Sequence, residues 1–172
     1  SMDNNVIRAL AQALVNRSII AFRFNFRGVG RSEGGFGGGV EEQTDVAAAL
    51  DWLSSQSKVD TTKIGVAGYS FGAAVALPIS VRDERVKTMA FVSLPLADSE
   101  FPQLKSSTKP KFFIWGDSDF IALPQQIELF YRELSEPKEL ELVSGADHFW
   151  WGLERELAEK ISAFFQRQFQ AE

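Results

Sequence analysis

The sequence predicts an α/β fold, with a mainly parallel β-sheet flanked by helices on both faces. Strand-like runs rich in β-branched and aromatic residues alternate with helical segments along the 172 residues. The run Gly-Tyr-Ser-Phe-Gly at 68–72 lies between a strand-like and a helix-like segment, where its glycines permit a sharp turn. Such alternation is typical of right-handed crossovers, which leave ligand sites at the carboxyl ends of the strands.

Hydrophobic periodicity places each element. The first helix is predicted because Val6, Leu10, Ala13 and Leu14 recur at helical spacing. The predicted elements of the first half, in chain order, are a helix over 4–16, a strand over 18–26, a glycine-rich loop over 27–39, a helix over 41–54, a strand over 63–69 and a helix over 71–77 that Pro78 should end or kink. They are followed by strands over 86–94 and 109–116, a helix over 123–134, a strand over 138–145 and a helix over 152–169.

Composition excludes several function classes. The net charge of −5 and the absence of a lysine- or arginine-rich block argue against a nucleic-acid partner. No apolar run approaches the roughly 20 residues that cross a bilayer, so we expect a soluble, cytoplasmic protein with no membrane partner. With no cysteine and one histidine, we expect no thiolate chemistry, no metal cluster and no cofactor. Residues 1–172 show no linker and are predicted to form a single domain.

Three residues of the kinds used in nucleophilic catalysis follow three different predicted strands. Ser70 follows the strand over 63–69, Asp119 follows 109–116, and His148, the only histidine, follows 138–145. A serine hydroxyl becomes a strong nucleophile when a histidine accepts its proton, and a carboxylate orients that histidine. Asp117 is the rival for the carboxylate role, whereas Asp147 is disfavoured because it adjoins the histidine.

Four motifs carry a resemblance to a known family. They are "NFRGVGRSEG" at 25–34, "GYSFG" at 68–72, "GDSDFI" at 116–121 and "DHFWWG" at 147–152. With the order Ser, Asp, His, they resemble the α/β-hydrolase superfamily, and more narrowly the small serine hydrolases related to dienelactone hydrolase, from Asp3 to the C-terminus. Dienelactone hydrolase itself has a cysteine nucleophile, so the serine at position 70 is a departure.

The resemblance implies further strands that this sequence does not contain. In the family three strands precede the first helix, and the third would lie between the strands predicted over 18–26 and 63–69. Its absence would leave a gap of roughly 9–10 Å. We therefore expect the sequence to begin partway through a longer protein. The alternatives are a shortened gene product preceded by Ser1-Met2 from cloning, direct pairing of the two strands, and a strand from a second copy.

The expected activity is hydrolysis of carboxylic esters through an acyl-enzyme, as in a carboxylesterase. Ser70 would attack the carbonyl, His148 would transfer the proton and Asp119 would support the imidazolium. The backbone N–H of Phe71 would supply one oxyanion donor, and the resemblance implies a second donor from the absent segment.

The substrate partner is expected to be a short, uncharged small-molecule ester. Only about fifteen residues, 95–109, lie between the runs "FVSL" and "KFFIWG", where lipases insert a lid, so the site should be open. A peptidase or amidase with the same three residues, and a non-catalytic binding module, remain alternatives. The apolar residues expected to line the pocket are Leu94, Phe120, Phe149, Trp150 and Trp151.

Overall fold

The computed structural model of the chain describes residues 1–96 and 101–171. Within these residues four strands form one parallel sheet in the order β1-β2-β3-β4. The strands are β1 (Ile64–Tyr69), β2 (Val86–Val92), β3 (Lys111–Gly116) and β4 (Lys138–Val143). The helices are α1 (Asn5–Asn16), α2 (Glu42–Ser54), α3 (Phe71–Arg82), α4 (Pro102–Lys105), α5 (Pro124–Arg132) and α6 (Glu154–Gln170).

The sheet separates two hydrophobic clusters. Alternate residues of a strand point to opposite faces, so Phe91 and Phe113 pack with α2, α3 and α5, whereas Ala90 and Phe112 pack with α1 and α6. The predicted parallel sheet with helices on both faces is therefore confirmed. No helix within residues 1–96 or 101–171 is both long and apolar enough to cross a membrane.

Helix α3 extends beyond its predicted end. Pro78 removes one backbone N–H and was expected to end or kink the helix, but α3 continues to Arg82. The helix packs on the sheet through Val75, Ala76 and Leu77, which are almost fully buried. Tertiary packing of this kind outweighs the intrinsic helix penalty of proline, about 3 kcal/mol.

The strand predicted over 18–26 does not form. Residues 19–26 have no regular secondary structure, and no backbone hydrogen bond joins residues 20–26 to β1 within the described chain. The rings of Phe22, Phe24 and Phe26 nevertheless contact one another in succession, the first pair stacked and the second edge to face, as alternate residues of an extended segment can. The segment has the side-chain pattern of a strand without a neighbouring strand to pair with.

A groove separates this segment from β1. It has a volume of about 610 Å³ and is lined by residues 18–24, by all of β1, and by side chains of α1 and α6. One edge of β1 therefore faces this groove, and its other edge pairs with β2. The Ser70 N–H bonds the Val92 carbonyl of β2. Because backbone groups alternate along a strand, the N–H groups of Ala67 and Tyr69 point into the groove.

The open edge of β1 predicts an alternating pattern of amide hydrogen exchange. We expect the amides of Ala67 and Tyr69 to exchange at least about tenfold faster than those of Gly68 and Ser70, because only the latter pair with β2. Residue-resolved exchange measured by NMR tests this. Equal protection along β1 would show that another chain or segment pairs with this edge in solution.

Candidate active site

Ser70 occupies a strained turn between β1 and α3. Its backbone has φ 51° and ψ −121°, a conformation that costs a non-glycine residue about 1–3 kcal/mol. Hydrogen bonds hold Ser70 on both sides, because the Ser70 N–H donates to the Val92 carbonyl and the Ser70 carbonyl accepts from the amides of Ala73 and Ala74. The turn places the hydroxyl beyond the carboxyl end of β1.

The two glycines that flank the serine have unequal roles. A Cβ atom at Gly68 would lie 2.6 Å from the Cα of Ala73 and 2.8 Å from its nitrogen, so only glycine fits where β1 meets the first turn of α3. A Cβ atom at Gly72 would have the ring of Phe26 as its nearest neighbour, at 3.9 Å, which is an ordinary contact. The first glycine is required by packing, and the second is not.

The structure brings Ser70, His148 and Asp119 into one hydrogen-bonded chain. The Oγ of Ser70 lies 2.8 Å from Nε2 of His148, and Nδ1 lies 3.1 Å from each carboxylate oxygen of Asp119. Both ionisable side chains are buried, and Asp119 also accepts the N–H of Ile121. Since an ionised carboxylate only accepts, Nδ1 carries the imidazole proton and Nε2 is left to accept from the serine.

The other two aspartates near the histidine bond elsewhere. Asp117 accepts the N–H of Gly145 at 2.9 Å, and this backbone hydrogen bond is the main reason that the pKa of Asp117 lies below its usual range. Asp147 accepts the N–H groups of Phe149 and Trp150. Of the two candidates for the carboxylate role, Asp119 bonds the histidine ring and Asp117 bonds the backbone of Gly145.

An unoccupied backbone donor lies beside the serine. Within the described residues the N–H of Phe71 has no hydrogen-bond partner, as is usual for the first turn of a helix. This N–H stands at the positive end of α3, where negative charge is stabilised. The arrangement can accept an anionic oxygen next to Ser70.

The exposed surface around the histidine is aromatic. The rings of Phe120 and Phe149 lie 5.4 and 5.8 Å from the His148 ring, and these side chains are 62% and 48% exposed. Trp151 is 72% exposed. We call Phe120 and Phe149 the aromatic surface.

Two residues expected in the pocket lie in the core instead. Leu94 and Trp150 have no exposed surface. Leu94 packs with the cluster that contains Phe113, and the indole N–H of Trp150 bonds the hydroxyl of Ser93 at 3.0 Å. Because adjacent side chains diverge, burial of Trp150 leaves Trp151 in solvent.

The glycine-rich loop packs on the other side of the serine. Glu42 is buried and accepts the N–H groups of Gly37 and Gly39, which keep the pKa of its carboxyl below the usual range. The ring of Phe36 in this loop lies 5.7 Å from that of Phe71. A buried carboxylate thus fixes the loop at the edge of the site.

Sequence reasoning missed several residues that hold the histidine loop. The hydroxyl of Tyr69 bonds the carbonyl of His148 at 2.7 Å, and the Asn5 amide bonds the carbonyl of Phe149 at 3.2 Å. These contacts join positions far apart in the chain, and no local pattern signals them. Within the described residues no cluster of three or more histidine, cysteine, aspartate or glutamate side chains is placed to hold a metal.

The fold is that of the α/β serine hydrolases. Residues 4–101 match a family model described as X-Pro dipeptidyl-peptidase (S15 family). The chain belongs to this family, and with it to the α/β-hydrolase superfamily.

Individual relatives agree with this membership. An uncharacterized protein of Rickettsia prowazekii is 30% identical over 95% of this chain and 72% of its own length. The solved structure of an α/β serine hydrolase homologue from Coxiella burnetii is 34% identical, with a TM-score of 0.86 over 95% of this chain and 77% of that one. A Xanthomonas campestris protein described as an α/β serine hydrolase without lid is 30% identical, with a TM-score of 0.88 over 100% and 77%.

The unequal roles of the glycines can be tested by alanine substitution. Gly68→Ala should lower the free energy of unfolding by about 2–4 kcal/mol, because its Cβ would clash with the backbone of Ala73. Gly72→Ala should leave stability unchanged or raise it by up to about 1 kcal/mol, because the position is helical and open. Urea denaturation measures both, and equal effects would contradict the close approach at Gly68.

Proposed function

We propose that the chain hydrolyses carboxylic esters through a covalent acyl-enzyme on Ser70. The observation that carries the proposal is the continuous hydrogen-bonded chain from Ser70 through His148 to Asp119. The unpartnered N–H of Phe71 beside the hydroxyl adds an oxyanion donor.

The proposed reaction proceeds in two halves. The Ser70 oxygen bonds to the ester carbonyl carbon while its proton passes to Nε2 of His148, and the carbonyl oxygen becomes an anion that the Phe71 N–H stabilises. The C–O bond to the alcohol then breaks, and His148 returns the proton to the departing oxygen. Water repeats the sequence on the acyl-enzyme, releasing the acid and restoring the serine. Asp119 stays ionised and stabilises the imidazolium throughout.

A second oxyanion donor would have to come from the direction of the groove. The groove ends at Ser70 and Phe71, and the unpaired N–H groups of Ala67 and Tyr69 line its wall. We propose that polypeptide paired with this edge of β1 carries the second donor. Loss of one such donor typically lowers the rate about 10²–10³-fold, so the 172-residue chain should be a slow catalyst.

The surroundings of Ser70 favour a small, uncharged acyl or alcohol group. The aromatic surface is exposed beside His148, and the ring of Phe71, the residue that follows the serine, is 40% exposed. We propose a site without a lid, like that described for the Xanthomonas campestris relative. Apolar walls open to solvent accommodate short esters more readily than long acyl chains.

Peptide hydrolysis is the second candidate, because the matching family model is described as a dipeptidyl-peptidase. Such an enzyme must hold the charged amino terminus of its substrate, and a carboxylate is the usual partner for an ammonium group. The buried carboxylates Glu42 and Asp119 are held by hydrogen bonds within the protein, and Asp147 accepts the N–H groups of Phe149 and Trp150. An ester substrate requires no such partner, and the ester is therefore our first candidate.

The carboxylate assignment yields a matched pair of variants. Asp119→Asn should lower the rate of p-nitrophenyl acetate hydrolysis about 10³–10⁴-fold, because the amide no longer fixes the imidazole tautomer. Asp117→Asn should change it less than about threefold, since Asp117 bonds Gly145 and not the histidine. A larger loss for Asp117→Asn would contradict the assignment.

Labelling with a fluorophosphonate probe tests the nucleophile directly. The parent chain should be labelled, and Ser70→Ala and His148→Ala should each abolish labelling because the first removes the oxygen and the second its base. Labelling of Ser70→Ala would overturn the proposal, as would a folded parent that neither reacts nor hydrolyses esters at any measurable rate. Faster turnover of glycyl-prolyl p-nitroanilide than of p-nitrophenyl acetate would replace ester hydrolysis by peptide hydrolysis.

A further inference from the structure

We propose that Tyr69 is a positioning residue that holds His148 in register with Ser70. The proposal rests on the function proposed above. Tyr69 precedes Ser70 and is the last residue of β1, and its hydroxyl donates to the carbonyl of His148 at 2.7 Å. Two consecutive residues of the chain therefore bond the same histidine, Ser70 at its ring and Tyr69 at its backbone.

The Tyr69 hydroxyl has a distinct place among the contacts of the histidine loop. Asp147 bonds the amides of Phe149 and Trp150, the Trp150 indole bonds Ser93, and Asn5 bonds the carbonyl of Phe149. These contacts anchor the residues that follow the histidine. Within residues 1–96 and 101–171, only the Tyr69 hydroxyl forms a hydrogen bond with the backbone of His148 itself.

The phenol remains a donor throughout the range in which histidines titrate. Burial, with smaller contributions from the negative charges of Asp119 and Asp147, raises the pKa of Tyr69 to about 12. The hydroxyl is therefore neutral at any pH at which the imidazole changes charge. Its bond to a neutral carbonyl acts through geometry and not through charge.

Register matters because the bond from Ser70 to His148 tolerates little displacement. Hydrogen bonds between a hydroxyl and a nitrogen weaken steeply beyond about 3.2 Å, and the present distance is 2.8 Å. The Tyr69 and His148 rings also lie 5.7 Å apart, so removal of the hydroxyl alone leaves the ring packing in place. Displacement of a reacting group by about 1 Å can cost about 10²-fold in rate, and a partial displacement should cost less.

The chain offers a matched control, because it has two tyrosines. The hydroxyl of Tyr131 also donates to a backbone carbonyl, that of Lys138 at 3.1 Å, where β4 begins. Burial raises the pKa of Tyr131 as well. Tyr131→Phe therefore removes the same chemical group from the same kind of bond at the opposite end of the sheet.

Kinetics should separate the two variants. Tyr69→Phe should lower kcat for p-nitrophenyl acetate and the rate constant of fluorophosphonate labelling by about tenfold each, with KM changed less than about twofold. Tyr131→Phe should leave all three values within about twofold. A shared loss of stability would lower the melting temperature of both variants and would not by itself slow the chemistry.

A proton NMR measurement tests the positioning without depending on catalysis. The proton between Nδ1 of His148 and Asp119 gives a downfield signal, and its assignment is unambiguous because the chain has one histidine. In Tyr69→Phe this signal should broaden or disappear through faster exchange, and in Tyr131→Phe it should match that of the parent.

The outcomes distinguish failure of this inference from failure of the proposed function. An unchanged signal and unchanged kcat in Tyr69→Phe would overturn the positioning role even if the parent hydrolyses esters. Selective loss of the signal in Tyr69→Phe would support the positioning role even if the parent hydrolyses no ester tested. Equal losses of signal and of kcat in Tyr69→Phe and Tyr131→Phe would show a general structural effect and would also overturn the positioning role.

Discussion

The arrangement of the site depends on one strained residue, Ser70, between a strand and a helix. A residue in this conformation persists only where its surroundings hold it. Here β2 holds it through the Val92 carbonyl, and α3 holds it through the amides of Ala73 and Ala74. Gly68 lets the helix approach closely enough for these bonds to form. The hydroxyl is exposed because strain at one residue is offset by packing and hydrogen bonds at its neighbours.

Within the described part of the chain, the strand that precedes Ser70, β1, has one unpaired edge. β1 pairs with β2 on one side and faces a groove of about 610 Å³ on the other. An acyl chain in this groove could not satisfy the N–H groups of Ala67 and Tyr69, whereas an extended peptide could. The segment around Phe22 and Phe24 has the alternation of a strand and lies on the far wall. The backbone chemistry of the groove thus favours a strand over a lipid as its occupant.

Much of this architecture could be predicted from the sequence, because it is encoded locally. Hydrophobic periodicity located all four observed strands within a few residues, and the glycines around Ser70 indicated the turn. The strand over 18–26 was predicted wrongly because propensity reports how a segment would fold beside a partner, and no strand among the described residues pairs with it. The sequence predicts that Pro78 ends or kinks α3, and the helix does not end there because tertiary packing outweighs the local effect of the proline.

Within the site, the sequence order and the strand ends predicted which residues would meet, but not what fixes their distances. The sequence favours Asp119 but leaves Asp117 as a rival, and the hydrogen bonds of the two side chains separate them. Leu94 and Trp150 were expected in the pocket because apolar residues near a site do not reveal whether they face it or the core. Side-chain direction at loop positions is set by contacts with distant segments, such as that of Trp150 with Ser93.

The bond between Tyr69 and His148 shows how such a distant contact could matter for chemistry. Ser70 follows β1 and His148 follows β4, and three strand spacings, about 14–15 Å, separate these strands within the sheet. Backbone hydrogen bonds fix each strand only against its neighbours. Small displacements between neighbouring strands therefore add up from β1 to β4. A direct bond from the end of β1 to the loop after β4 removes that accumulation at the place where a displacement of about 1 Å can cost about 10²-fold in rate. The geometry of the nucleophile and base would then be set by this cross-link more than by the sheet that carries them.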